Sequence, residues 1–338
     1  MPLTRRSFGL LLLASGASAK PGPALFPGRH WETAGPEVHG LDPAPLDELA
    51  VNLAGRGCVV KNGNVVKYWG SQSEVGDWLS SAKPVVSTLL FFAIREGLVR
   101  SVPKDRAMTF AHLANMVSGY ARPEPPGAAW AYNDIAIQLY QQTLFDRVFE
   151  DGPASVAMHP KRLGFLQLED GLVFRPANRR LSVSVRDFAR IAWFWLHKGN
   201  WRGTQLLPRR FFDRYCRPHV PAGLPHTGKA ETRDYLGLGT FGGGSDHFTD
   251  FGAGIYGYNW WFNRTGRLHP NSVTWPDAPR DTFMSIGFGG NCAVIIPSLN
   301  LVLACARGNW GKHEPGSAGA PANQHIRLLM RAHGIRSG

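Results

Sequence analysis

Ser80 and Lys83, in the stretch Leu79-Ser80-Ser81-Ala82-Lys83-Pro84, are spaced so that one side chain can activate the other. A serine hydroxyl attacks poorly until a neighbouring base takes its proton, and a lysine amine serves as that base when burial or nearby cations lower its pKa. Pro84 lacks an N–H and fits only the first turn of a helix, so a helix must begin near Ser80 to Ala82. Residues three apart share a helix face, which brings the Ser80 hydroxyl within reach of the Lys83 amine. The Ser80 N–H then lies among the unpaired amides of a helix start, where partial positive charge collects. Alone, the same residues also describe an N-cap serine followed by a solvated lysine, so the chemistry needs partners from elsewhere in the chain.

Two other stretches offer partners. Pro126-Gly127-Ala128-Ala129-Trp130-Ala131-Tyr132 puts a tyrosine just ahead of a helix, and a phenol beside Ser80 could act as base or carry a proton to a leaving group. Tyr132 also suits a core aromatic whose hydroxyl finds a bond. Ser285-Ile286-Gly287-Phe288-Gly289-Gly290-Asn291 is glycine-rich, and glycines let a backbone approach a substrate closely. A backbone N–H there, together with that of Ser80, could form an oxyanion hole; a plain β-turn fits the same spacing.

The elements that must hold these groups are legible in outline. Asp42-Pro43 opens a helix with Leu46, Leu49 and Leu53 inward. Asn62-Gly63, between the runs 58–60 and 65–69, signals a β-hairpin that leads into the Ser80 stretch. Helices follow over 85–96, 109–117 and 134–148, and Ser184-Val185-Arg186-Asp187 resembles a capping box ahead of another that ends at Gly199. Strands are expected over 257–262, 282–286, 292–296 and 301–306, and a last helix over 323–332. Strands at both ends and helices between them imply an α+β architecture. Its antiparallel sheet is built from both chain ends and flanked by helices, with an inserted, mainly helical domain. In numbers, 41–103 and 250–338 form the sheet domain and 104–249 the insertion. The long stretches 237–254 and 265–281 read as substrate-binding loops.

Composition narrows the function. At 338 residues, 43% hydrophobic and 18% charged, the chain buries a large core and is too apolar for a disordered protein. Thr4-Arg5-Arg6-Ser7-Phe8, a short apolar run and Ala17-Ser18-Ala19 read as a twin-arginine export leader over residues 1–19, with an extended arm over 20–40. The run is too short to span a bilayer, so the expected location is periplasmic or secreted, with no stable membrane anchor. The formal charge of +12 falls to +10 once Arg5 and Arg6 leave with the leader. The basic residues are scattered and form no stripe interleaved with aromatics, which argues against nucleic acid as a partner. Cys58, Cys216, Cys292 and Cys305 show no zinc-type spacing. A turn between Ser298 and Leu299 would set Cys292 opposite Cys305, as a cross-strand disulfide or as two buried thiols.

Taken in order, the motifs resemble the serine β-lactamase and penicillin-binding-protein superfamily. They are Ser80-x-x-Lys83; Met108 to Leu113 through Ser118-Gly119; Pro126-Gly127 to Tyr132; Leu181 to Arg190; Gly257-Tyr258-Asn259-Trp260-Trp261; and Gly287 to Asn291 with Pro297. The chain looks most like the branch of esterases, D-aminopeptidases and 6-aminohexanoate-dimer hydrolases. The resemblance implies a hydrolase free of metal and cofactor, with Ser80 as nucleophile, Lys83 and Tyr132 as general base, and the N–H groups of Ser80 and Phe288 as oxyanion hole. It also implies a small-molecule or short-peptide ester or amide substrate, contacted near Asp134, Gly287 and Gly289. Two departures stand out. Asp134 occupies the superfamily's asparagine position, where an amide donates to substrate and a carboxylate cannot; its simplest reading is the N-cap of the next helix. Gly287-Phe288-Gly289 carries no lysine or histidine to attract a substrate carboxylate, although Arg307 could substitute. The missing cation argues for ester or amide substrates without that carboxylate; a β-lactamase or D,D-peptidase stays open as a rival, and the two departures permit a catalytically silent binding or sensor protein on the same scaffold.

Overall fold

The computed structural model describes residues 25–99, 108–227, 234, 236–242, 253–311 and 321–335. The expected leader, residues 1–19, lies outside them.

Helix α1 (Pro43–Leu53) is capped by the Asp42 carboxylate, which accepts from Ala44 N at 2.9 Å. Strands β1 (Arg56–Lys61) and β2 (Asn64–Trp69) form the hairpin, with Asn62 and Gly63 both at positive φ (51° and 92°) as a tight hairpin turn requires. Strand β3 (Gly76–Asp77) then leads through a 3-10 turn (Leu79–Ala82) into α2 (Lys83–Arg95). The central stretch carries α3 (Phe110–Ala114), α4 (Asp134–Gln142), α5 (Pro153–Met158), β4 (Val173–Phe174), β5 (Leu181–Val183), α6 (Val185–Leu196), the hairpin β6 (Asn200–Trp201) and β7 (Thr204–Gln205), and α7 (Arg209–Tyr215). The chain closes with β8 (Tyr256–Gly257), β9 (Trp260–Phe262), β10 (Phe283–Gly287), β11 (Asn291–Ile296), β12 (Leu301–Ala306) and α8 (Pro321–Ala332).

The main sheet has seven strands in the order β2-β1-β12-β11-β10-β9-β8, so both chain ends contribute and β1 lies antiparallel to β12. Every residue of β11 and β12 is buried, which is why their sequences lack polar alternation: both faces are covered. Helix α6 packs on β1, β11 and β12, while α1 and α8 pack on each other. The α+β class and the antiparallel sheet flanked by helices are those expected. Helix α3 ends at Ala114, earlier than expected. There Met116 turns to φ 60°, and the Val117 carbonyl accepts from Gly127 N at 2.7 Å, which holds the Tyr132 segment against this turn. The Pro297–Leu299 turn pairs Cys292 with Cys305 across β11 and β12, and all four cysteines are free thiols.

Candidate active site

The loop ahead of Ser80 is held from three directions. Strand β3 pairs with β5, Trp78 N donates to Leu181 O at 3.2 Å, and the Trp78 indole N–H donates to Val183 O at 2.8 Å. The Trp78 ring stacks on Phe188 with centroids 3.9 Å apart. Asp77 Oδ1 accepts from Leu79 N at 2.9 Å, and its other oxygen takes Arg175 Nη1 at 2.8 Å and Arg180 Nε at 2.9 Å. These anchors hold Leu79 at φ 50°, a left-handed conformation a leucine rarely adopts, immediately before Ser80.

Lys83 is the hub of the site. Its Nζ lies 3.0 Å from Ser80 Oγ, 2.7 Å from Tyr132 Oη and 2.5 Å from Asp134 Oδ1. Lys83, Tyr132 and Asp134 are 1–2% exposed, while Ser80 at 9% keeps an opening to solvent. Tyr132 is fixed by rings, parallel to Trp261 at 5.7 Å and edge-on to Tyr256 at 6.1 Å. Asn259 ties in the first turn of α2, its amide donating to Lys83 O at 3.2 Å and to Ser87 Oγ at 2.9 Å.

Asp134 is not the cap of α4. Asn133 is: its Oδ1 accepts from Ile135 N (3.0 Å) and Ala136 N (3.1 Å), and its amide donates to Tyr120 O at 2.6 Å. Asp134 is thereby displaced into the first helical turn, where the helix start favours an anion and the carboxylate reaches Lys83. Phe241 N donates to Asp134 O at 3.2 Å, and a Cβ on Gly242 would lie 2.7 Å from Asp134 Oδ2. The 241–242 segment therefore closes over the acid.

The electrostatics follow. Burial works to lower the Lys83 pKa, but the Asp134 carboxylate, helped by Tyr132, outweighs it and holds the amine above its ordinary value. Burial raises Tyr132 too, against the pull of Lys83. At rest the site therefore holds an ammonium ion paired with a carboxylate, beside a neutral phenol and a serine hydroxyl.

Strand β10 supplies the opposite wall. A Cβ on Gly287 would meet Trp78 O at 2.6 Å and Ser81 N at 2.7 Å, so only glycine lets the strand end lie on the Ser80 turn. Ser81 Oγ and Ser285 Oγ, 2.8 Å apart, fasten the same contact. Ser80 is second in its 3-10 turn and Phe288 first in another, positions whose N–H groups have no partner within the turn. Gly289 adopts φ 70°, and the Phe288 ring is 76% exposed at this wall. Arg307 follows β12, its N–H donating to Asn291 Oδ1 at 3.1 Å. Among the described residues no cluster of three or more His, Cys, Asp or Glu could hold a metal ion.

Three solved structures superimpose over nearly their whole length. A β-lactamase from Mycobacterium bovis shares 16% identity at a TM-score of 0.59, covering 85% of this chain and 99% of its own. The chain has the serine β-lactamase fold. A penicillin-binding protein homologue from Caulobacter crescentus shares the fold at 14% identity and TM-score 0.54, covering 91% and 97%. A family VIII carboxylesterase does so at 12% identity and TM-score 0.56, covering 89% and 98%. Searches with protein-family models and against curated sequences give no match.

Within the serine β-lactamase fold, the structure brings Ser80, Lys83, Tyr132 and Asp134 together and lays Gly287 against them. Sequence reasoning overlooked Asn259, whose φ of 71° suits an asparagine between two strand-like runs, and Gly242. The asparagine inside Gly257-Tyr258-Asn259-Trp260-Trp261 was the available signal for the first. Nothing local marks the second, because its neighbour Asp134 is remote in sequence.

Proposed function

We propose that the chain is a serine hydrolase that forms an acyl-enzyme on Ser80 from a small ester or amide. The observation that carries this reading is the convergence of Ser80 Oγ, Tyr132 Oη and Asp134 Oδ1 on one buried amine. In the molecules whose Lys83 is neutral, the amine takes the Ser80 proton as Oγ attacks the substrate carbonyl. The oxyanion is received by the N–H groups of Ser80 and Phe288. As the bond to the leaving group breaks, Tyr132 gives that group its proton and regains one from the Lys83 ammonium. Water then adds to the acyl ester and frees Ser80. Because Asp134 opposes the neutral amine, turnover should climb with pH into the alkaline range.

Ester and amide substrates without a carboxylate beside the scissile bond suit a wall made of Gly287, Phe288 and Gly289. One observation favours a second reading: a lysine held as an ammonium has no lone pair to take the Ser80 proton, which suits a binding or sensor protein that turns nothing over. Replacing Ser80 by Ala should abolish both aryl-ester hydrolysis and labelling by a fluorophosphonate. Labelling without turnover would favour the second reading, and labelling elsewhere would defeat both.

A further inference from the structure

A second cleft lies at the far end of β10. Gly287 touches the Ser80 turn, whereas Phe283, four residues back and so about 13 Å away along the strand, lines a cavity of about 410 Å³ between α6, α7 and the β9–β10 side of the sheet. That volume suits a small organic molecule. Its walls are the rings of Phe212, Phe262 and Phe283, and Arg217, Arg264 and Arg280 stand around it.

The charge balance within the cleft is one-sided. Of its two acids, Asp213 is paired with Lys198 at 2.5 Å, and Asp281 accepts Ser298 N at 2.6 Å and Ser298 Oγ at 2.9 Å. Among the described residues, the guanidinium groups of Arg217 and Arg280 make no hydrogen bond or ion pair with the protein. Two exposed guanidiniums without a protein partner, beside flat apolar walls, describe one kind of guest.

We propose that this cleft binds a small amphiphilic anion: a carboxylate or phosphate head held by Arg217 and Arg280, on a flat apolar body packed against the phenylalanines. The site is separate from Ser80 and does not depend on what Ser80 does.

Isothermal titration of the full chain with 2-naphthoate, 1-naphthyl phosphate and the neutral 2-naphthamide tests it, in both the native sequence and Ser80→Ala. One anion site per chain should appear in both proteins, with 2-naphthamide weaker by about tenfold or more. Arg217→Gln and Arg280→Gln should each weaken the anion by about tenfold, while Arg210→Gln, outside the cleft, leaves it unchanged. Tighter 1-naphthyl phosphate than 2-naphthoate would assign a phosphate head, and the reverse a carboxylate; either supports the proposal. Absence of anion binding, equal affinity for 2-naphthamide, loss of binding in Ser80→Ala, or indifference to both arginine changes in variants with native circular dichroism would overturn it.

Discussion

Replacing Asp134 by Asn tests the electrostatic account of Lys83 most sharply. The carboxylate sits 2.5 Å from the amine with both side chains about 98% buried. At an effective dielectric of 20 that separation corresponds to about 7 kcal/mol of attraction, an upper bound, because asparagine still offers a carbonyl oxygen in the same place. If only about 2 kcal/mol of it favours the ammonium over the free amine, losing it multiplies the neutral fraction of Lys83 by roughly thirtyfold. The pH profile of kcat/KM for an aryl ester should show it. Asp134 raises the Lys83 pKa, so its removal should move the rising limb to lower pH and increase kcat/KM at pH 7 by about tenfold or more. Stability should fall, by up to about 3–5 kcal/mol wherever Lys83 stays charged without a partner, so the assay must run below the melting transition. A fall in kcat/KM at pH 7 with an unmoved limb would refute the reasoning and make the carboxylate itself part of the machinery.

Other consequences follow from single contacts. Gly287→Ala sets a methyl 2.6 Å from Trp78 O; relief of that overlap should cost about 1–3 kcal/mol of stability and lower the acylation rate by at least tenfold, and an unchanged rate would separate β10 from the chemistry. His197, packed between Phe26 and Trp193, has its pKa pushed down to about 4 by burial. The unfolded chain then binds the extra proton between about pH 6.5 and 4, so stability should decline as pH falls through that window. The drop in melting temperature from pH 7 to pH 5 should be smaller in His197→Leu. The Cys58 thiol, raised to about 12 by burial, should resist iodoacetamide at pH 8 until the protein is unfolded.

What the sequence made legible was mostly local. Asn62-Gly63 dictates a hairpin because both residues tolerate positive φ, and the Ser80–Lys83 spacing carries its own geometry once Pro84 places the helix start. The register of Cys292 against Cys305 follows from the short turn between them. Asp134 shows where local reasoning ends. Asn133 and Asp134 can each cap a helix, and the pair is decided by Lys83, fifty-one positions away in the chain, which draws the carboxylate and leaves the cap to the amide. Gly242 was opaque for the same reason, and Asn259, visible as part of a motif, had a role only a distant segment explains: its amide meets the Lys83 carbonyl. The aromatic cradle of Tyr132 likewise exists only once β8 and β9 are in place.

The most direct measurement is to treat the purified protein with a fluorophosphonate probe, digest it and locate the adduct by peptide mass spectrometry. The account predicts one adduct, on Ser80, formed faster as pH rises and lost in Lys83→Ala. An adduct on a different serine, or none at any pH from 7 to 10 in correctly folded protein, would contradict it.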